Sequence, residues 1–137
     1  MPVILVDTNV LLDVATNDPK WADWSQAQLH ACGARDRLTI NDVVYVEFSI
    51  GYVRFEEVDA AIEALGLHVE PIPRAALFLA GKVFHRYRAR GGSKIGVLPD
   101  FFIGAHAAVE GAPLLTRDAA RYRQYFPNLS LLTPTPK

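Results

Sequence analysis

The sequence predicts an α/β fold, a three-layer α/β/α sandwich around a central, mostly parallel sheet. Two observations carry that expectation. Short apolar runs alternate with longer amphipathic stretches from end to end, a pattern that produces strand–helix units and a parallel sheet. The opening run, VILV at 3–6, is continuously apolar rather than alternating, as in a strand buried on both faces. Half of the 137 residues are hydrophobic and 21% are charged, a globular composition with enough chain for one core.

The elements follow in order. After VILV, Asp7-Thr8-Asn9 leads into a second apolar segment read as a helix. Asp18 and Pro19 suit the N-cap and first turn of a helix at about 19–34. RLTIN is a second strand, and Asp42 can cap the helix carrying Glu47, with Gly51 near its end. RFEEVDAAIEAL is amphipathic and stops at Gly66, and LHVEPI is a third strand. A helix over 73–90 ends at RGGSK, read as a flexible basic loop. Pro99 opens a helix over 99–110 that closes at Gly111. PLLT is a strand, RDAARYRQYF a short helix and LSLLT the last strand. One domain over 1–132 is expected, with a short tail at 133–137.

Composition narrows the function classes. One cysteine, Cys32, leaves no internal disulfide and excludes a zinc–cysteine site. No signal peptide is visible, since Asp7 interrupts the N-terminal apolar run, and no run nears the ~20 residues that span a bilayer. A cytoplasmic protein is expected. Net charge is −1 but unevenly spread: residues 1–70 carry 4 Lys/Arg and 12 Asp/Glu, and residues 71–137 carry 10 and 3. No acid lies between Pro71 and Pro99, where Arg74, Lys82, Arg86, Arg88, Arg90 and Lys94 fall. That segment suggests a basic face for a polyanion; the plainer reading is a solvated helix face.

Four acids stand apart from the rest. Glu47 lies in DVVYVEFSIGYV, where nine of twelve residues are Val, Tyr, Phe, Ile or Gly. A buried charge there needs a partner, a proton or a metal. Asp7 and Asp118 each end a strand, on the edge of an open parallel sheet where ligands bind. Asp100 shares a helix face with Ile103, Gly104 and Ala107. Taken singly, Asp7, Asp100 and Asp118 could each be helix caps, and Glu47 could reach solvent. Converging in one crevice, four carboxylates would repel one another unless some were protonated. A hard divalent cation, Mg²⁺ or Mn²⁺, removes that repulsion.

VILVDTNVLLD, DVVYVEFSIGY and LPDFFIGAHAAVEGAPLLTRDAARYRQYFPNLSLL together resemble the PIN domain family, and within it the VapC-type toxins of prokaryotic toxin–antitoxin pairs. The resemblance runs over about 2–132 and fills all four acidic positions. It implies a Mg²⁺- or Mn²⁺-dependent endoribonuclease acting on structured RNA such as tRNA or ribosomal RNA. It also implies a homodimer and a VapB-type antitoxin whose tail covers the active site. Asp7 and Asp100 would be the main direct metal ligands, with Glu47 and Asp118 acting largely through water. Thr8, Asn9, Thr116 and Arg117 would steady the acids or the scissile phosphate. Arg86, Arg88, Arg90 and Lys94 are the candidate RNA contacts.

Other readings fit less well. A haloacid-dehalogenase-type phosphotransferase needs an acid where Asn9 stands, and a receiver domain needs an acidic pair near its N-terminus. A dinucleotide-binding domain needs glycines that DTNVLL lacks. A DNA-directed nuclease and a non-catalytic PIN module for RNA or partner binding stay open. His106 falls on another helix face from Asp100 and reads as structural.

Overall fold

In the computed structural model, residues 2–134 are described, so 135–137 of the expected tail lie outside them. Five strands, β1 (Val3–Val6), β2 (Arg37–Asn41), β3 (His68–Glu70), β4 (Leu114–Leu115) and β5 (Leu131–Leu132), form one sheet in the order β3-β2-β1-β4-β5. Every pairing is parallel, so the expected "mostly parallel" sheet is wholly parallel. The chain steps outward from β1 to β2 and β3, then crosses back to β4 and β5 on the other side. The strand order therefore reverses at β1, the switch point where a crevice opens at the carboxyl ends of an α/β sheet.

Among the described residues, seven α-helices flank the sheet: α1 (Thr8–Ala15), α2 (Ala22–Gly33), α3 (Asp42–Ser49), α4 (Phe55–Ala64), α5 (Arg74–Ala89), α6 (Leu98–Glu110) and α7 (Ala120–Tyr125). Continuous apolar sequence in β1 becomes burial of Ile4, Leu5 and Val6. Edge strand β3 is different: all three of its residues are exposed, because His68 and Glu70 flank a single Val69 and no strand lies beyond. Phe101, fully buried, packs on Phe84 and Tyr87 of α5 and Tyr125 of α7 at ring separations of 5.2–5.7 Å. Such edge-on aromatic contacts add to the stabilisation from burial. They fix the start of α6 against α5 and α7.

Three local expectations change. Asn41, not Asp42, caps α3: its Oδ1 accepts from the Val43 and Val44 N–H groups, both at 3.0 Å. Asp18 accepts from the Lys20 and Trp21 N–H groups, so 19–21 form a turn and the helix starts at Ala22. RGGSK is not a loose loop. Gly91 and Gly92 N–H groups donate to the Arg88 and Tyr87 carbonyls, the paired bonds that close a helix through a left-handed residue. Gly91 has φ +90°, and a Cβ on Gly92 would meet the Tyr87 ring at 2.5 Å. These glycines serve a tight turn and a close approach. A 3-10 turn, Ile95–Val97, then leads into α6.

Candidate active site

Asp7 is the first residue beyond β1 and the N-cap of α1. Its N–H donates to the Leu115 carbonyl at 2.9 Å, tying it to the end of β4. Its Oδ1 accepts from the Thr8 N–H at 2.8 Å, so the capping role is real. The other oxygen, Oδ2, accepts from the hydroxyls of Thr116 and Tyr122, both at 2.9 Å, with the Asn9 amide at 3.4 Å. Thr116 is the residue just past β4, so the neighbouring strand ends create this contact. Burial pushes the Asp7 carboxyl up to about 6, against the downward pull of the Thr116 and Tyr122 hydrogen bonds.

Asp100 stands in the first turn of α6 but caps nothing. Its Oδ2 pairs with the Arg121 guanidinium, and its Oδ1 lies 3.4 Å from the Tyr122 hydroxyl. Partial burial raises its pKa while Arg121 pulls it down. Tyr122, itself buried, thus tethers two carboxylates with one phenol, whose proton goes to the nearer Asp7. Glu47 is half-buried on α3, and its Oε1 accepts from the Thr8 hydroxyl at 2.7 Å. Asp118 is exposed in the turn after β4, and α7 starts without a side-chain cap, so its capping role is not realised.

A cavity of about 460 Å³ collects these groups: the four acids line it together with Thr8 and Asn9. Leu12 and Ile50 give it an apolar rim. Asn9 links its two walls, donating to Thr116 Oγ1 at 3.2 Å and accepting from the Arg117 N–H at 3.3 Å. Among the described residues, no three His, Cys, Asp or Glu side chains close into a full metal cage. The donor set still suits a hard cation, which takes one or two carboxylates and fills its shell with water and substrate oxygens. The guanidinium already seated on Asp100 shows that one of these carboxylates pairs with a positive charge.

Arg117 is placed elsewhere than the sequence suggests. Its Nε donates to Asp13 Oδ2 at 2.7 Å, and its guanidinium lies over Trp21 at 5.6 Å. Asp13 is buried and also accepts from the Ser25 hydroxyl. The Arg117 side chain therefore braces α1 and α2 and reaches none of the four acids. Arg86, Arg88, Arg90 and Lys94 are all exposed. The Lys94 N–H donates to the Tyr87 hydroxyl at 3.1 Å, and the Tyr87 ring packs on Phe101 beside Asp100, so the basic segment adjoins the start of α6. Sequence reasoning missed Asp13, Arg121 and Tyr122. Arg121 and Tyr122 do follow Asp118 at helical spacing, the one signal that could have flagged them.

The PIN domain family matches residues 4–126 of the sequence. This chain belongs to the PIN domain family. Comparison with curated proteins finds no match. Solved structures similar to this PIN domain include VapBC2 of Rickettsia felis bound to a DNA fragment from its promoter, at TM-score 0.75 and 19% identity over 97% of this chain and 99% of that one. VapBC-1 of nontypeable Haemophilus influenzae is similar at TM-score 0.70 and 21% identity, over 96% and 97%. FitAcB of Neisseria gonorrhoeae is similar at 0.66 and 16%, over 94% and 96%. At such identities the likeness is one of fold, and the wholly parallel sheet of this PIN domain agrees with it.

Proposed function

We propose that this PIN domain, taken as residues 1–132, is a divalent-metal-dependent endoribonuclease and the toxin of a VapBC-type pair. One observation carries the reading: Asp7, Glu47, Asp100 and Asp118, from four separate places in the chain, line one cavity at the sheet's switch point. Asp7 and Asp100 would hold Mg²⁺ or Mn²⁺ directly, and Glu47 and Asp118 through water. Bound there, the cation would polarise the phosphodiester, acidify the attacking water and neutralise the leaving oxygen. The chain's own groups orient the parts. Thr116 and Tyr122 aim the inner oxygen of Asp7, and the Thr8 hydroxyl holds Glu47. Asp118, exposed on the cavity lining, would accept a proton from an incoming water.

The substrate we propose is structured RNA of the tRNA or ribosomal class, held in the cytoplasm by phosphate contacts from Arg86, Arg88, Arg90 and Lys94. Among the described residues, no helix is long and apolar enough to cross a membrane. An antitoxin partner is supported by apolar side chains left exposed on the cavity lining itself, Ile50 (79% exposed) and Leu12 (38%). Solitary exposed apolar residues are ordinary, but a cluster at a site mouth suits a bound chain. A homodimer is proposed as well, testable by light scattering. The function is tested with purified protein, Mn²⁺ and total RNA. Asp7→Asn and Asp100→Asn should each abolish cleavage and weaken Mn²⁺ binding while the fold survives. Full activity in either variant would sink the site assignment.

A further inference from the structure

The acidic cavity already contains a positive charge of its own. Arg121 reaches from α7 to Oδ2 of Asp100, while the next residue, Tyr122, stands at Oδ1. Both oxygens of a proposed metal ligand are thus engaged from one short helix. The two arginines near Asp118 differ in how they are held. Arg117 is bound to a buried aspartate that Ser25 also secures, and its ring of contacts includes Trp21. The Arg121 side chain is about one third exposed, and so is that of Asp100. With about a third of each side chain in water, this half-buried pair is partly screened, and the guanidinium has an open side towards which it can move.

We propose that Arg121 is a displaceable counter-cation: it neutralises Asp100 in the metal-free chain, yields Oδ2 to a divalent cation, and then bonds a non-bridging oxygen of the bound phosphodiester. The exchange follows from charge. A divalent cation at Asp100 would repel the guanidinium from its seat, and a substrate phosphate drawn to that cation would offer its fork a matching anion. The inference rests on the metal-dependent reading above.

The test compares wild type with Arg121→Gln and Arg121→Lys, as full-length, metal-stripped protein. Calorimetric titration with Mn²⁺ should show Arg121→Gln binding roughly fivefold tighter or more, the size of a lost competing ion pair. Arg121→Lys, with the charge kept but the fork lost, should fall between. At saturating Mn²⁺, Arg121→Gln should lose roughly tenfold or more in kcat/KM for RNA, as for one charged hydrogen bond. Mn²⁺ affinity that is unchanged or weaker in Arg121→Gln overturns the exchange, and an unchanged kcat/KM overturns the phosphate contact. If wild type itself takes up no Mn²⁺, the metal reading of the cavity fails first, a result distinct from either.

Discussion

Asp7 titrates near 6 in the folded chain instead of 3.8, because burial disfavours its charged form. The folded state thus holds the proton more tightly than the unfolded one. Its contribution to stability is full below about 3.8 and is lost as pH rises through about 6, a swing of about 3 kcal/mol. Metal-free Asp7→Asn should therefore melt several degrees higher than wild type at pH 7.5, with the difference vanishing at pH 4. A lower melting point at pH 7.5 would show that the ionised carboxylate stabilises the fold. His106 slopes the other way. Asn41 Oδ1 is committed to capping α3, so its amide nitrogen donates to His106 Nδ1 at 3.1 Å, leaving the imidazole neutral with its proton on Nε2. Burial lowers its pKa below 6.5, although Glu110, Glu70 and Asp42 pull it upward. Its stabilising share is present above 6.5 and is lost as pH falls. Urea unfolding of His106→Gln should show a flatter loss of stability on acidification below pH 6.5 than wild type; identical profiles would count against a buried neutral imidazole. The four acids were legible because carboxylates stood out at strand ends or among apolar neighbours. Tyr122 was not, because its spacing from Asp118 points to that acid alone and nothing in ARYRQY tells that the fold brings its phenol to Asp7.

Helices α6 and α7 meet where a side chain is missing. A Cβ on Gly104 would lie 2.5 Å from the Phe126 ring, so no larger residue fits without displacing the end of α7. Gly104→Ala should cost about 1–3 kcal/mol through overpacking. Gly81, exposed in α5 with nothing within 4 Å of its added Cβ, gives the opposite expectation. There alanine should stabilise by about 0.5–1 kcal/mol through helix propensity. Chemical denaturation of both variants checks the pair, and equal effects would refute the packing argument. Gly104 was read only as part of an apolar face, since the need for a bare Cα depends on a ring 22 residues away. The same limit applies to RGGSK, where glycine content looks like flexibility until Tyr87 is seen packed beneath it.

Across the whole molecule, strand–helix alternation announced a layered parallel fold, but strand order did not follow from it. Nothing local in VILV says that β1 will pair with both β2 and β4, yet that choice puts Asp7 beside Thr116. Charge segregation was readable directly, and the structure leaves the basic side chains of α5 and its closing turn exposed. Neutralising Arg86, Arg88 and Lys94 together should weaken RNA binding and reduce the slope of log affinity against log salt by about 2. Filter binding across a salt series measures this, and an unchanged slope would remove the basic face from the binding site.

The inner oxygen of Asp7 takes its two shortest hydrogen bonds from residues 109 and 115 positions later in the chain. A ribosome that has just added Asp100 has therefore made three of the four acids but neither hydroxyl that aims the first. Strand β4, Asp118 and α7 follow Asp100 in the chain, and the fourth acid arrives only with them. The nascent chain is thus unarmed up to that point: on the function proposed above, synthesis order itself delays the cutting site until Thr116 and Tyr122 have been made.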